Sequence, residues 1–151
     1  MGGGRDTSRR PALGRSGRGL VIVDTSAWVE YLRATGSPVH HTLRARIEAG
    51  ETLATPAPVV MELLAGCRSE DAAQDLRRLL ARFEILEVEG VADFEDAALI
   101  QRVCRRGGET VRSMVDCLIA AIALRERRPL LALDRDFDLI ARHIGLESVV
   151  R

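Results

Sequence analysis

The sequence predicts an α/β fold with a mainly parallel central sheet and helices on both faces of that sheet. Two short apolar runs, at residues 20–23 and 130–133, have the continuous pattern of strands that are buried on both faces. Segments with apolar residues at helical spacing lie between the predicted strands. Strands that alternate with helices are typical of parallel sheets, and their crossovers should be right-handed. The chain has 151 residues, of which 46% are hydrophobic, and this is enough for one domain with a substantial core.

The predicted strands are short and are separated by predicted helices. The two apolar runs are the first and the fourth strand. The second strand follows Gly50, the third follows a helix with regularly spaced leucines, and an edge strand is expected at the C-terminus. In order, the predicted strands span residues 20–23, 52–54, 84–88, 130–133 and 147–150.

The predicted helices rest on apolar spacing and on residues that begin or end helices. Trp28, Tyr31 and Leu32 share one face of the first helix. Gly50 and Gly66 follow the second and third helices, as glycine commonly does at helix C-termini. In order, the predicted helices span residues 26–33, 39–49, 59–65, 71–83, 91–106, 113–127 and 137–143.

Charge is unevenly distributed along the chain, although the net charge is zero. Residues 1–19 contain five arginines against one aspartate and show no periodicity, so they are expected to form a disordered basic extension. Residues 20–151 form the predicted domain, which is net acidic because it holds 17 arginines and 21 acids. Charge alone would therefore not bind this domain to nucleic acid.

Two further features of the sequence predict where the protein works. No apolar run approaches the roughly 20 residues that are needed to span a bilayer. Residues 1–19 also lack the apolar centre of a signal peptide. We therefore expect a cytoplasmic protein with no membrane partner.

Several classes of chemistry are excluded by the residue types. The chain has no lysine, which excludes P-loop phosphate binding and Schiff-base formation. Cys67, Cys104 and Cys117 are too widely spaced to form a metal-binding pair, and they are expected to be reduced and mostly buried. The three histidines have no zinc-ligand spacing either.

Four acids from distant parts of the sequence are expected at one edge of the sheet. Asp24 and Asp134 directly follow predicted strands, while Glu62 and Asp116 lie in early turns of predicted helices. In an open parallel sheet the carboxyl ends of the strands and the N-termini of the following helices lie at the same edge, where ligands bind. Each acid taken alone could instead be a helix cap, a turn residue or a solvent-facing charge.

The apolar surroundings of two of these acids favour a bound cation. Asp116 lies in a helix that is apolar nearly all round, and Glu62 lies between two apolar segments. A buried carboxylate without a partner is costly, so each of these acids needs a positive partner. Arg112, close to Asp116 in sequence, is one candidate. A multivalent cation is the other, and an all-oxygen ligand set suits Mg²⁺ or Mn²⁺.

The acids occur in four motifs that resemble those of PIN-domain nucleases, and most closely the VapC toxin branch. In chain order the motifs are VIVDTSAW at residues 21–28, PVVMELLAG at 58–66, RSMVDCLIAA at 112–121 and LALDRDF at 131–137. The resemblance covers about residues 20–150. It implies a PIN-like domain and a Mg²⁺-dependent endoribonuclease from a type II toxin–antitoxin pair. Such toxins usually form homodimers, are inhibited by a VapB antitoxin, and in many cases cut tRNA or ribosomal RNA.

The resemblance also implies roles for individual residues. The catalytic acids would be Asp24, Glu62, Asp116 and Asp134, the metal ligands would be Asp24, Asp116, Asp134 and Asp136, and the polar supports would be Ser26 and Ser113. Nearby arginines could bind RNA phosphates, with Arg112 as the first candidate. Ala132 departs from the family pattern, in which a polar residue often lies two places before the fourth acid. This difference affects a supporting contact and leaves the acid itself in place.

Two other classes of protein compete with this interpretation. A phosphoaspartyl enzyme would need either an active-site lysine, which the chain lacks, or a second aspartate at the position of Ser26. A catalytically inactive PIN-like interaction module is the non-enzyme alternative. The complete set of acids argues against that alternative.

Overall fold

A four-stranded parallel sheet forms the centre of the computed structural model, which describes residues 20–149. The strands are β1 (Val21–Val23), β2 (Leu53–Pro56), β3 (Glu84–Leu86) and β4 (Leu130–Leu131), and their order across the sheet is β3-β2-β1-β4. All three strand pairs are parallel, with Ile22 of β1 opposite both Ala54 and Leu130. The predicted α/β fold with a parallel central sheet is confirmed.

Helices follow each strand, and the residue that caps the N-terminus of each helix is polar or proline. Within the described range they are α1 (Thr25–Leu32), α2 (Pro38–Glu48), α3 (Ala57–Ala65), α4 (Glu70–Leu80), α5 (Gly90–Arg106), α6 (Met114–Glu126) and α7 (Arg135–His143). Serine caps begin three of them, because the hydroxyls of Ser37, Ser69 and Ser113 accept the backbone amide three residues further on. Most predicted helix bounds lie within one or two residues of these.

The core surrounds β1 and α6. Every residue of β1 and of β2 is buried. Successive strand residues point to opposite faces, so this pattern means that both faces of the sheet are covered. The α6 helix, whose residues 116–123 are all buried, packs against α5. Trp28 of α1 is fully buried, and its Nε1 donates to Thr55 Oγ1 of β2 at 3.1 Å, which satisfies both polar groups.

The C-terminal part of the sheet is shorter than predicted. β4 ends at Leu131, since the next residues leave the sheet: the Leu133 amide donates to Ser26 Oγ at 2.9 Å and not to a strand. The predicted strand at 147–150 is reduced to a single parallel bridge between Ser148 and Leu130, next to a hydrogen bond from the Val149 amide to Leu130 O. The last residue of that predicted strand and the predicted extension at 1–19 lie outside the described residues.

No helix formed by residues 20–149 is both long enough and apolar enough to cross a membrane.

Candidate active site

Two acids lie where neighbouring strands end. Asp24 follows β1 and caps α1, while Asp134 follows β4 and caps α7. Their carboxylates accept amides two residues further on, from Ser26 to Asp24 Oδ2 and from Asp136 to Asp134 Oδ1, both at 2.9 Å. The Asp24 amide also donates to Leu131 O at 3.0 Å. The capping role and the position at the sheet edge are therefore compatible, since one carboxylate oxygen does the capping and the other is left for a further partner.

Three aspartates form a compact group of oxygen ligands. Asp116 lies in the first turn of α6. Asp136 lies in the first turn of α7, the helix that Asp134 caps. One carboxylate oxygen from each of the three lies within 4.8 Å of the other two. Asp116 is 9% exposed and Asp136 only 2%, so two members of the group are buried.

Asp24 is a buried carboxylate that is only half satisfied. Its Oδ2 accepts both the amide of Ser26 and the Ser26 hydroxyl, the latter at 2.6 Å. Its Oδ1 is buried and has no hydrogen-bond partner among residues 20–149. Burial raises the pKa of Asp24 to about 6, even though the Ser26 hydrogen bonds favour the charged form.

Electrostatic coupling joins five acids into one site. Burial is the main reason that the pKa of Asp116 is raised to about 7. Repulsion from Asp24, Asp134, Glu62 and Asp136 raises it further. The three other acids that the sequence singled out and the candidate fifth therefore all act on Asp116, and two of them, Asp134 and Asp136, also offer carboxylate oxygens within 4.8 Å of one of its own.

Glu62 occupies the α1–α3 side of the site. It is half-buried on α3, and its Oε2 accepts the Thr25 hydroxyl at 2.5 Å. Glu62 is not one of the three clustered ligands, although its charge also contributes to the raised pKa of Asp24. Thr25 was not singled out from the sequence, and the one available signal was its place directly after Asp24.

The two predicted supporting serines act in different ways. Ser26 Oγ donates to Asp24 and accepts the Leu133 amide, so it connects the start of α1 to the segment that precedes Asp134. Ser113 caps α6, and its hydroxyl accepts the Asp116 amide at 3.2 Å. Ser113 therefore orients the backbone that carries Asp116 and does not touch its carboxylate.

Arg112 contacts two acids other than the one that the sequence suggested. Its Nε lies 3.2 Å from Asp136 Oδ1, its Nη2 lies 3.5 Å from Asp134 Oδ1, and its backbone amide donates to Asp136 Oδ2 at 2.9 Å. Asp116, in contrast, has no ion pair with any arginine in the described part of the chain. The hypothesis that Arg112 neutralises Asp116 is therefore wrong.

These residues fit a hard divalent cation. The site combines clustered carboxylates, two raised pKa values and the buried, unpartnered Oδ1 of Asp24, and a cation would compensate all three. Nitrogen and sulfur ligands are used elsewhere: His143 contacts Glu109 at 2.7 Å, and Cys104 and Cys117 belong to the hydrophobic core. Oxygen-only ligation favours Mg²⁺ or Mn²⁺ over zinc.

Comparison with known proteins gives concordant results. A family model described as "PIN domain" matches residues 21–143. Ribonuclease VapC11 from Mycobacterium tuberculosis is 43% identical over 130 residues, which cover 85% of this chain and 97% of VapC11. A solved structure of VapBC-1 from nontypeable Haemophilus influenzae matches with a TM-score of 0.68 at 16% identity, over 85% of this chain and 96% of the other. VapC20 from M. tuberculosis, described as a sarcin–ricin loop cleaving toxin, matches with a TM-score of 0.58 at 24% identity, over 84% and 98%.

Proposed function

This chain belongs to the PIN-domain family, and we propose that it is a metal-dependent endoribonuclease, the toxic component of a type II toxin–antitoxin pair. The observation that carries the proposal is the compact group of carboxylate oxygens from Asp116, Asp134 and Asp136, together with the unpartnered buried oxygen of Asp24. The 43% identity to a ribonuclease over nearly its whole length supports the same activity.

The acids have different roles in the proposed site. Asp24, Asp116, Asp134 and Asp136 would hold the divalent ion, which is Mg²⁺ or Mn²⁺. When bound, such an ion activates water at neutral pH and offsets the negative charge that builds up on the phosphate. Ser26 keeps Asp24 in position, and the Thr25 hydroxyl holds Glu62 at the rim, where its carboxylate orients water by hydrogen bonding.

The proposed reaction is hydrolysis of an RNA phosphodiester bond. Water adds to phosphorus, the bond to the 3′-oxygen breaks, and the products carry a 5′-phosphate and a 3′-hydroxyl. Arg112 lies at the edge of the site with 74% of its side chain exposed, which allows it to contact a phosphate of the RNA. A local cation of this kind is needed because the domain itself is net acidic.

The similar proteins also indicate partners. VapBC-1 of H. influenzae supports a VapB-type antitoxin as the partner of this chain, and VapC20, a sarcin–ricin loop cleaving toxin, supports a structured RNA as the substrate. We also propose a homodimer, as the resemblance to VapC toxins implies, and a protein that acts in the cytoplasm.

A cleavage assay with matched variants tests this function. The purified full chain should cut total bacterial RNA in MgCl₂ but not in EDTA. Asp116→Asn should cut at least about 100-fold more slowly. Asp138→Asn removes the same charge from an exposed position on α7 and should keep the wild-type rate within about twofold.

The assay can also contradict the proposal. Asp116→Asn that cuts as fast as wild type would exclude the acidic site as the catalyst. Wild-type protein that cuts nothing in Mg²⁺ or Mn²⁺ would favour an inactive interaction module.

A further inference from the structure

The Arg112 side chain occupies the same carboxylates that a metal ion would use. Both oxygens of Asp136 are bound to Arg112: Oδ2 accepts the backbone amide at 2.9 Å and Oδ1 accepts the guanidinium Nε at 3.2 Å. The guanidinium also reaches Asp134 Oδ1. Asp134 and Asp136 are two of the three clustered acids. A divalent ion and the guanidinium would therefore compete for the same carboxylates.

The two sides of this ion pair differ in mobility. The side chain of Asp136 is 3% exposed, while that of Arg112 is 74% exposed. An exposed arginine gives up little packing when it moves, whereas Asp136 stays held by the Arg112 backbone amide. Of the two partners, the guanidinium is the one that can leave.

The backbone around Arg112 is anchored, so only the side chain needs to move. Val111 is buried, and its carbonyl accepts Gln101 Nε2 at 3.4 Å. Earlier in the same segment, Glu109 contacts both His143 and Arg142 of α7, at 2.7 and 2.5 Å. These contacts keep residue 112 at the edge of the site whether or not its guanidinium pairs with the acids.

We propose that the Arg112 guanidinium is a built-in counter-ion of the acidic site that competes with the divalent ion. This inference rests on the proposed function, because it takes the four aspartates named there to be the metal site. Arg112 weakens ion binding, and the bound ion in turn releases the guanidinium to the rim, where RNA phosphates arrive. Ion binding and phosphate binding then favour each other, since a linkage of this kind is reciprocal.

Calorimetric titration of the full chain with Mn²⁺ alone, without RNA and at fixed ionic strength, tests the proposal. Arg112→Ala should bind Mn²⁺ about threefold to tenfold more tightly than wild type. The control is Arg135→Ala. Arg135 carries the same charge as Arg112 and lies between Asp134 and Asp136 in the sequence, but it makes no ion pair within the described residues. Its effect should stay below about twofold, because salt screens an exposed charge without a contact. Arg112→Gln should change the affinity in the same direction as Arg112→Ala.

A double variant separates competition between Arg112 and the ion from a general effect of charge. In Asp136→Asn the guanidinium has lost its main partner, so adding Arg112→Ala should change Mn²⁺ affinity by less than about twofold. Unchanged or weaker binding by Arg112→Ala in the otherwise wild-type chain overturns the counter-ion role and leaves the proposed function standing. If neither wild type nor Arg112→Ala binds Mn²⁺, the proposed metal site itself fails, and the counter-ion role fails with it.

Discussion

At the scale of single residues, the site consists of acids that stabilise the fold poorly. Asp24 keeps one buried oxygen without a hydrogen-bond partner among residues 20–149, and Asp116 is repelled by four other carboxylates. Desolvation and like-charge repulsion both penalise the ionised forms. This arrangement lowers the free energy of unfolding, as is common at sites that are needed for function.

This cost predicts an unusual pH dependence in the absence of metal. The pKa of Asp116 is raised from near 3.8 to about 7, so between these values the folded state binds more protons than the unfolded chain. The contribution of Asp116 to the free energy of unfolding is therefore fully present below about pH 4 and is lost as the pH rises through 7. In EDTA at pH 8, Asp116→Asn should be more stable than wild type by about 1 to 2 kcal/mol, and this gap should narrow at pH 5 and close below about pH 4.

Urea denaturation at both pH values measures this difference, with Asp138→Asn as the control for loss of an exposed charge. Asp116→Asn that is less stable than wild type at pH 8 would mean that the carboxylate is satisfied in the fold.

At the scale of helices and strands, patterns predicted positions well but side-chain partners poorly. The alternation of apolar runs and helical segments predicted the order of the elements and the edge where the acids meet. The contacts of Arg112 with Asp136, and of Thr25 with Glu62, were missed, because they join residues 24 and 37 positions apart and leave no periodic signal. β4 was predicted two residues too long, since Ala132 and Leu133 are apolar but continue into the loop that carries Asp134.

An ion pair between α5 and α6 was also not predicted from the sequence. Arg125 of α6 donates to both carboxylate oxygens of Asp93 of α5, at 3.0 and 3.1 Å, and Asp93 is 1% exposed. The pair connects the two helices at the end remote from Asp116. Neither residue stood out in the sequence, because an acid in the first turn of one helix and a basic residue in the last turn of another are also ordinary surface features.

We predict that RNA binds along the C-terminal end of α5. Arg102 and Arg106 are exposed there, four residues apart on one face of α5, and the following segment leads directly to Arg112. The variant Arg102→Ala/Arg106→Ala should raise the KM for RNA several-fold with kcat unchanged. It should also reduce the slope of log affinity against log salt by about 0.7 to 0.9 for each arginine.

The matched control is Arg77→Ala/Arg78→Ala, which removes two arginines from the exposed face of α4. Equal effects of the two double variants would show that RNA binding depends on overall charge and does not follow a path along α5.

At the scale of the whole molecule, topology explains the site. Because β1 and β4 are neighbours and parallel, the acids that follow them lie at the same edge of the sheet, and α6 brings Asp116 to that edge. The domain is net acidic, so a divalent ion and a few well-placed arginines must allow RNA to approach. The central claim is therefore that these carboxylates hold the ion that makes the protein a ribonuclease.

Anomalous diffraction from crystals of the full chain grown with Mn²⁺ tests that claim most directly. We expect a strong anomalous peak within ligand distance of Asp24 and Asp116, on the side of the cluster formed by Asp134 and Asp136. The peak should disappear in Asp116→Asn crystals and persist in those of Asp138→Asn. Protein that cleaves RNA in Mn²⁺ but shows no peak at these carboxylates, or shows it at another site, would contradict the account.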